Sequence, residues 1–247
     1  MINKKIALLL VVLVLFSASS VHAKSYLFAQ SESDNPAFRA AISTLLSGAQ
    51  VDYFYSETGT PTVGQLGLYD GVFTWTNGPN LDSTQFGNNL ASYADAGGRV
   101  VLGAFTTYTQ GNCLSGNIMG PGYSPVTSPT GDNYKAASSY AGDGTSILWS
   151  GVADYGAAYR DQVVLQGNGI LDGTFTDGSI AGAYRPDFRV IYLGGMETLG
   201  DGTTTGNYER LLANALGASP EAVPEPSTFL LLGAGLGGLA FMRRRKQ

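Results

Sequence analysis

A polypeptide can do acid–base, nucleophilic or metal chemistry only with the side chains it has, and this chain has few of the usual ones. Its single histidine is His22 and its single cysteine is Cys113. If His22 is lost during export, as argued below, the remaining protein has no imidazole. That excludes Ser-His-Asp and Cys-His catalysis, imidazole-held zinc and histidine proton shuttling. One cysteine forms no internal disulfide, and Cys113 is expected in a loop or at a half-buried position with no reactive role. Carboxylates remain: Asp70, Asp154, Asp161, Asp172, Asp177, Asp187, Glu197 and Glu209. Two of them about 5–9.5 Å apart in one cleft could hydrolyse glycosides without histidine, but no motif selects a pair. Asp70 precedes an apolar strand, where backbone hydrogen bonding is the expected role. Asp201-Gly-Thr-Thr-Thr-Gly206 begins like a calcium loop, but its twelfth position is Leu212 where a bidentate Glu is required. Gly131-Asp132-Asn133 and Gly142-Asp143-Gly144 are turn sequences. Trp75, Tyr108, Trp149, Tyr155 and Tyr159 could stack on sugars if exposed, and the two tryptophans are expected in the core. No cofactor and no metal are expected.

The elements that must position these residues begin after a leader. Residues 1–23 hold Lys4 and Lys5, the apolar run Ile6–Phe16 and a small-residue end at Ala23. This predicts a signal peptide cut between Ala23 and Lys24 by signal peptidase after export through the Sec machinery. Residues 24–227 hold eight Lys and Arg against nineteen Asp and Glu, a net charge of −11. An acidic body with scattered cations is no partner for nucleic acid. Residues 24–218 are expected to form one domain. Ser25–Ala29, Val51–Tyr55, Tyr69–Thr76, Arg99–Phe105 and Phe188–Leu193 read as strands. Pro36–Ser47, a stretch near Ser83–Ala96, and Asn207–Ala215 read as helices, with Asp34 or Asn35 capping the first and Gly48 and Gly97-Gly98 stopping the first two. Strands alternating with helices predict a mostly parallel sheet between helical layers. Residues 107–182, rich in Gly, Ser, Thr, Asp and Tyr, read as a loop-rich insertion. Its apolar islands Ile147–Trp149, Val163–Leu165 and Ile180–Ala183 suggest short strands. Long loops beyond strand carboxyl ends are where open α/β sheets bind ligands.

The run YDGVFTWTNGP, then LASYADAGGRVVLGAF, then FRVIYL and NYERLLANA, resembles the class I glutamine-amidotransferase-like domains. The resemblance covers roughly Ser25–Gly217 and implies a flavodoxin-like, three-layer α/β sandwich. Active members of that family carry a cysteine on the turn after the strand that here is Val100–Phe105, and a histidine near the chain's end. Ala104-Phe105-Thr106 occupies that turn, and Cys113 lies about eight residues too late. The resemblance therefore implies the scaffold and argues against the activity.

The last residues carry an address. A linker, 219–227, contains Pro224-Glu225-Pro226, whose two fixed φ angles favour an extended segment. Phe229–Met242 follows without a charge, and Arg243, Arg244, Arg245 and Lys246 close it. Gly233-Ala-Gly-Leu-Gly-Gly238 fits a dinucleotide-loop pattern, but no βαβ unit surrounds it. As a helix, fourteen residues span about 21 Å against a hydrocarbon core about 30 Å thick. Residues 228–247 are thus expected to be a short transmembrane helix held by its basic, cytoplasmic tip. The whole arrangement resembles the PEP-CTERM sorting signal of Gram-negative bacteria. That implies recognition of Pro224, Glu225 and Pro226 by exosortase, a membrane protease, and removal of the tail. Delivery to the cell surface or an exopolysaccharide-rich matrix would follow. The expected function is non-enzymatic, with association with extracellular polysaccharide open. A carboxylate-only hydrolase of matrix glycans and a calcium-stabilised structural module are the alternatives.

Overall fold

In a computed structural model, the structure describes residues 23–136, 140–197 and 203–218. Strand β1 (Ser25–Gln30) leads into helix α1 (Pro36–Leu45). Proline sits in its first turn, and the Asn35 side chain accepts from the Phe38 N–H at 3.1 Å. Phe38 and Ile42 give the helix its buried stripe, and Ser47 and Gly48 end it with φ of 61° and 82°. Then come β2 (Gln50–Tyr55), a short helix α2 (Val63–Leu66) and β3 (Gly71–Thr74). Helix α2 is an addition to the expected elements; Thr62 and Gln65 close it with a reciprocal capping box. Helix α3 (Ser83–Asp95) is capped by Asp82 and buries Phe86, Leu90 and Tyr93. It delivers the chain to β4 (Arg99–Leu102).

The middle of the chain holds β5 (Val126–Thr127), β6 (Asn133–Lys135), β7 (Tyr140–Ala141), β8 (Tyr155–Ala157), β9 (Tyr159–Asp161), β10 (Val164–Leu165) and β11 (Ile170–Leu171). It ends in β12 (Gly182–Tyr184), β13 (Val190–Leu193), β14 (Thr204–Gly206) and helix α4 (Tyr208–Gly217).

The central sheet has the order β11-β12-β13-β4-β3-β1-β2. Its five consecutive strands from β13 to β2 are parallel, and β12 and β11 add antiparallel at one edge. Alternate residues feed two separate cores. Tyr26, Phe28, Phe73, Val101 and Ile191 pack with α1 and α4. Leu27, Val72, Val100 and Tyr192 pack with α2 and α3. Each large side chain so buried contributes about 1.5–3 kcal/mol. This is the expected three-layer sandwich, with its strand order reversing between β1 and β3, where α1 and α3 leave to opposite faces.

Two details differ from the expectation. Ile147–Trp149 is a 3₁₀ turn, with Ser146 capping it. The middle region also does not stand apart: β11 and β12 complete the main sheet, and β14 pairs back onto β8. Of the island Ile180–Ala183, Gly182 and Ala183 belong to β12 of the main sheet, and Ile180 makes an isolated bridge to Thr174. Among the described residues no helix is long and apolar enough to cross a membrane. The leader up to His22, the linker and the predicted membrane segment lie outside the described residues, with Pro224, Glu225, Pro226, Arg243, Arg244, Arg245 and Lys246. Ala23 and Lys24 are exposed immediately before β1.

Candidate functional site

Beyond the carboxyl ends of the parallel strands lies a cleft of about 420 Å³. Trp75, Thr76 and Asn77 come from the segment after β3, and Phe105, Tyr108 and Asn112 from the turn after β4. Asn133 on β6, Tyr159 on β9, Met196 after β13 and Thr203 before β14 complete its walls. Among the described residues, none that lines the cleft carries a formal charge at neutral pH. The aromatic wall is continuous: the Phe105 ring lies 6.3 Å from Tyr108 and 5.9 Å from Tyr159, centroid to centroid. Lys135 Nζ sits 5.3 Å from the Tyr159 centroid.

The turn after β4 is the cleft's most constrained part. Phe105 has φ of 64°, a left-handed conformation that costs an ordinary residue about 1–2 kcal/mol. Gly103 before it admits no side chain, because a Cβ there would stand 2.8 Å from the Phe73 ring and 3.0 Å from the Gly195 carbonyl. Asp161 holds the strained turn in place. Its Oδ1 accepts from the Phe105 N–H at 3.1 Å, and its Oδ2 accepts from the Thr107 N–H and Oγ1 at 3.2 and 2.7 Å. The carboxyl is buried, and burial pushes it up to about 6 despite those three donors.

A second buried acid stands behind Trp75, two hydrogen bonds away. Trp75 Nε1 donates to Gln30 Oε1 at 3.0 Å, and Gln30 Nε2 donates to Glu197 Oε2. Glu197 Oε1 is buried with no hydrogen-bond partner among the described residues, as is Tyr208 Oη. Burial raises Glu197 to about 7; the Gln30 hydrogen bond works against the shift.

The other acids serve elsewhere. Asp70 Oδ2 accepts from the Ser25 N–H at 2.8 Å, a backbone partner as expected but one 45 residues away rather than local. Asp172 accepts from Thr145 and Ser146. Asp177 pairs at 2.8 Å with the buried Arg160, whose guanidinium lies 3.5 Å over Phe175. Asp187 faces Arg189 at 3.6 Å, the Asp154 carbonyl accepts from the Asn207 N–H, and Glu209 lies in the first turn of α4. Asp143 binds Thr174; of the loop that begins at Asp201, Asp201 and Gly202 lie outside the described residues and Thr204–Gly206 form β14. Leu212, in the last register position of that loop, is fully buried in the core. Cys113 is half-buried, its Sγ 3.8 Å from Ser115 Oγ, in a loop.

Of the aromatics singled out in the sequence, Tyr108 and Tyr159 reach the cleft and Trp75 forms its floor, buried. Trp149 and Tyr155 belong to the core. The sequence does not single out Phe105 and the three asparagines as wall residues. Phe105 carries a signal: it directly follows Gly103-Ala104 at the strand's end. The asparagines carry none, because each arrives from a different part of the chain, two from loops and Asn133 from β6.

Residues 222–246 match the PEP-CTERM protein-sorting motif. No curated protein is similar in sequence to this chain. Among solved structures, a candidate GMP synthase component from Thermoplasma acidophilum is similar with a TM-score of 0.52 and 12% identity, covering 79% of this chain and 94% of that one. A candidate ThuA-like protein from Bacteroides uniformis ATCC 8492 is similar with a TM-score of 0.50 and 13% identity, covering 81% and 92%. At such identities the likeness shows the fold alone. The sorting motif supports export, membrane anchoring and processing by exosortase, a membrane protease. The chain thus joins a PEP-CTERM tail to a body of the class I glutamine-amidotransferase-like fold.

Proposed function

We propose that this is a non-enzymatic protein of the cell surface or extracellular matrix that binds a neutral stretch of polysaccharide in the cleft after β3 and β4. The observation that carries the reading is the lining itself. Flat aromatic faces on Phe105, Tyr108 and Tyr159 suit the apolar faces of pyranose rings, and the amides of Asn77, Asn112 and Asn133 can donate to and accept from hydroxyls. A lining that is uncharged among the described residues, in an acidic body, disfavours uronates and sulfated glycans. The position matters as well: Ala104-Phe105-Thr106 occupies the turn where the amidotransferase pattern calls for a nucleophilic cysteine, and none of the three can serve as one.

The carboxylate-only hydrolase draws support from the two raised acids flanking the cleft. Asp161 weighs against it, since both its oxygens are already committed to the Phe105–Thr107 turn.

A glycan array carrying neutral and uronate-containing chains tests the binding. Retention on neutral chains, insensitive to salt, is expected; silence across the array, or preference for uronates, contradicts it. Sorting is tested by intact mass of protein from the native host. The mature chain is expected to lack Phe229–Gln247, and a mass retaining Arg243–Lys246 contradicts processing.

A further inference from the structure

The Trp75–Gln30–Glu197 line joins the floor of the cleft to an acid that the binding reading leaves unused. Its three side chains are among the most buried in the protein, with Trp75 and Gln30 at 0% and Glu197 at 1% exposure. Gln30 is committed at both ends: its Oε1 receives the Trp75 indole and its Nε2 gives to Glu197. The amide therefore has one workable orientation, in which Glu197 receives its Nε2 and its Oε1 faces the Trp75 indole. At the far end the line stops abruptly. Glu197 Oε1 and Tyr208 Oη, both buried, have no hydrogen-bond partner among the described residues. A buried oxygen left so costs about 1–3 kcal/mol, more if charged. Such a group persists where it is a proton site or holds a water.

We infer that Glu197 is a positioning residue for the cleft: through Gln30 it sets the Trp75 ring, and gain or loss of one proton at Oε1 resets that ring. The surroundings fix the direction. The charged and titratable groups acting on Glu197 are Glu32 and Asp34 from the β1–α1 segment, Arg39 from α1, Tyr53 from β2 and Tyr208 from α4. Arg39 is already paired with Asp34 at 2.7 Å, so it leaves little charge to balance a Glu197 carboxylate. The protonated acid is therefore the form that fits the dry interior, consistent with its rise to about 7. Ionisation leaves a charge at Oε1 that only water can solvate. Water entering there loosens Gln30 and wets the indole.

Fluorine NMR of full-length protein labelled with 5-fluorotryptophan reads this without any ligand. The chain has two tryptophans, Trp75 and Trp149. One resonance, assigned to Trp75 through Trp149→Phe or Trp75→Phe, is expected to titrate between pH 5 and pH 9 with a midpoint about 7. Glu197→Gln keeps the hydrogen-bonding shape without the titration and is expected to flatten the curve. A Trp75 resonance that does not move, or that moves identically in Glu197→Gln, overturns the inference. The consequence for binding rests on the saccharide reading: affinity should fall about threefold or more from pH 6 to pH 8 in the wild type and stay level in Glu197→Gln. A Trp75 titration in a protein that binds no glycan refutes that reading and leaves the Glu197 assignment standing. Glycan binding with a pH-silent Trp75 does the reverse.

Discussion

Asp161 and Glu197 are both buried beside one cleft, and both hold their protons more tightly than an exposed acid does. Their wiring differs. Asp161 spends both oxygens on three donors and locks a left-handed turn. Glu197 spends one oxygen on Gln30 and leaves the other bare. A raised pKa by itself does not separate the two; the accounting of hydrogen bonds does. The satisfied acid is a structural clamp, and the half-satisfied one is free to respond.

The comparison breaks most visibly at Asp161. Asp161→Ala strands two buried backbone N–H groups and releases a strained turn, so we expect a loss of about 3 kcal/mol or more. Thermal melts should show it as a drop of roughly 6–12 °C. A drop under about 2 °C would mean the turn does not depend on the clamp. Glu197→Gln at pH 8 should instead cost under ~1 kcal/mol, because the replaced group there is a poorly solvated charge.

The pH profile comes next in size. A carboxyl raised in the folded state stays protonated after its unfolded counterpart has ionised, so the unfolded state binds fewer protons. Stability is full below the ordinary carboxylate range and falls as pH rises toward about 6 for Asp161 and about 7 for Glu197. The melting temperature should decline from pH 5 to pH 8 in the wild type. Glu197→Gln should remove the part of the decline above pH 6. A profile that rises over this window contradicts both assignments.

Phe105→Gly should destabilise less than Phe73→Gly, since glycine relieves the left-handed backbone at 105 while position 73 is an ordinary strand site. Equal losses by denaturant titration would show that the turn is unstrained. Cys113→Ser stands at the small end. Its half-buried side chain makes one weak contact, and a change within about 0.5 kcal/mol is expected.

Much of the fold was legible because it is periodic. Phe38 and Ile42 on α1, Phe86, Leu90 and Tyr93 on α3, and the apolar runs of β1, β3 and β4 announce themselves by spacing and by the Asn35, Pro36 and Gly48 signals around them. The Phe188–Leu193 strand was visible for the same reason. The middle region was less so: two-residue strands such as β10 and β11 are too short to show a period. The roles of β11 and β12 as edge strands depend on partners far off in sequence. The cleft was legible only in part. Tyr108 and Tyr159 stood out as aromatics in a loop-rich stretch, whereas the Asp161 clamp joins residues 54 and 56 positions apart and the Gln30–Glu197 bond spans 167. Nothing local marks contacts of that kind. The tail was the opposite case: a short linear signal, carried by 222–246, readable without any tertiary structure.

The cleft at the β4 turn is proposed to bind a neutral saccharide without transforming it. Isothermal titration of the exported protein with a neutral glycan from a positive array spot, beside Tyr108→Ala and Tyr159→Ala, tests it most directly. The account predicts saturable heat from the wild type, at least tenfold weaker binding in each variant, and an unshortened glycan recovered at the end. Binding that survives both substitutions unchanged, or a glycan recovered cut, would contradict it.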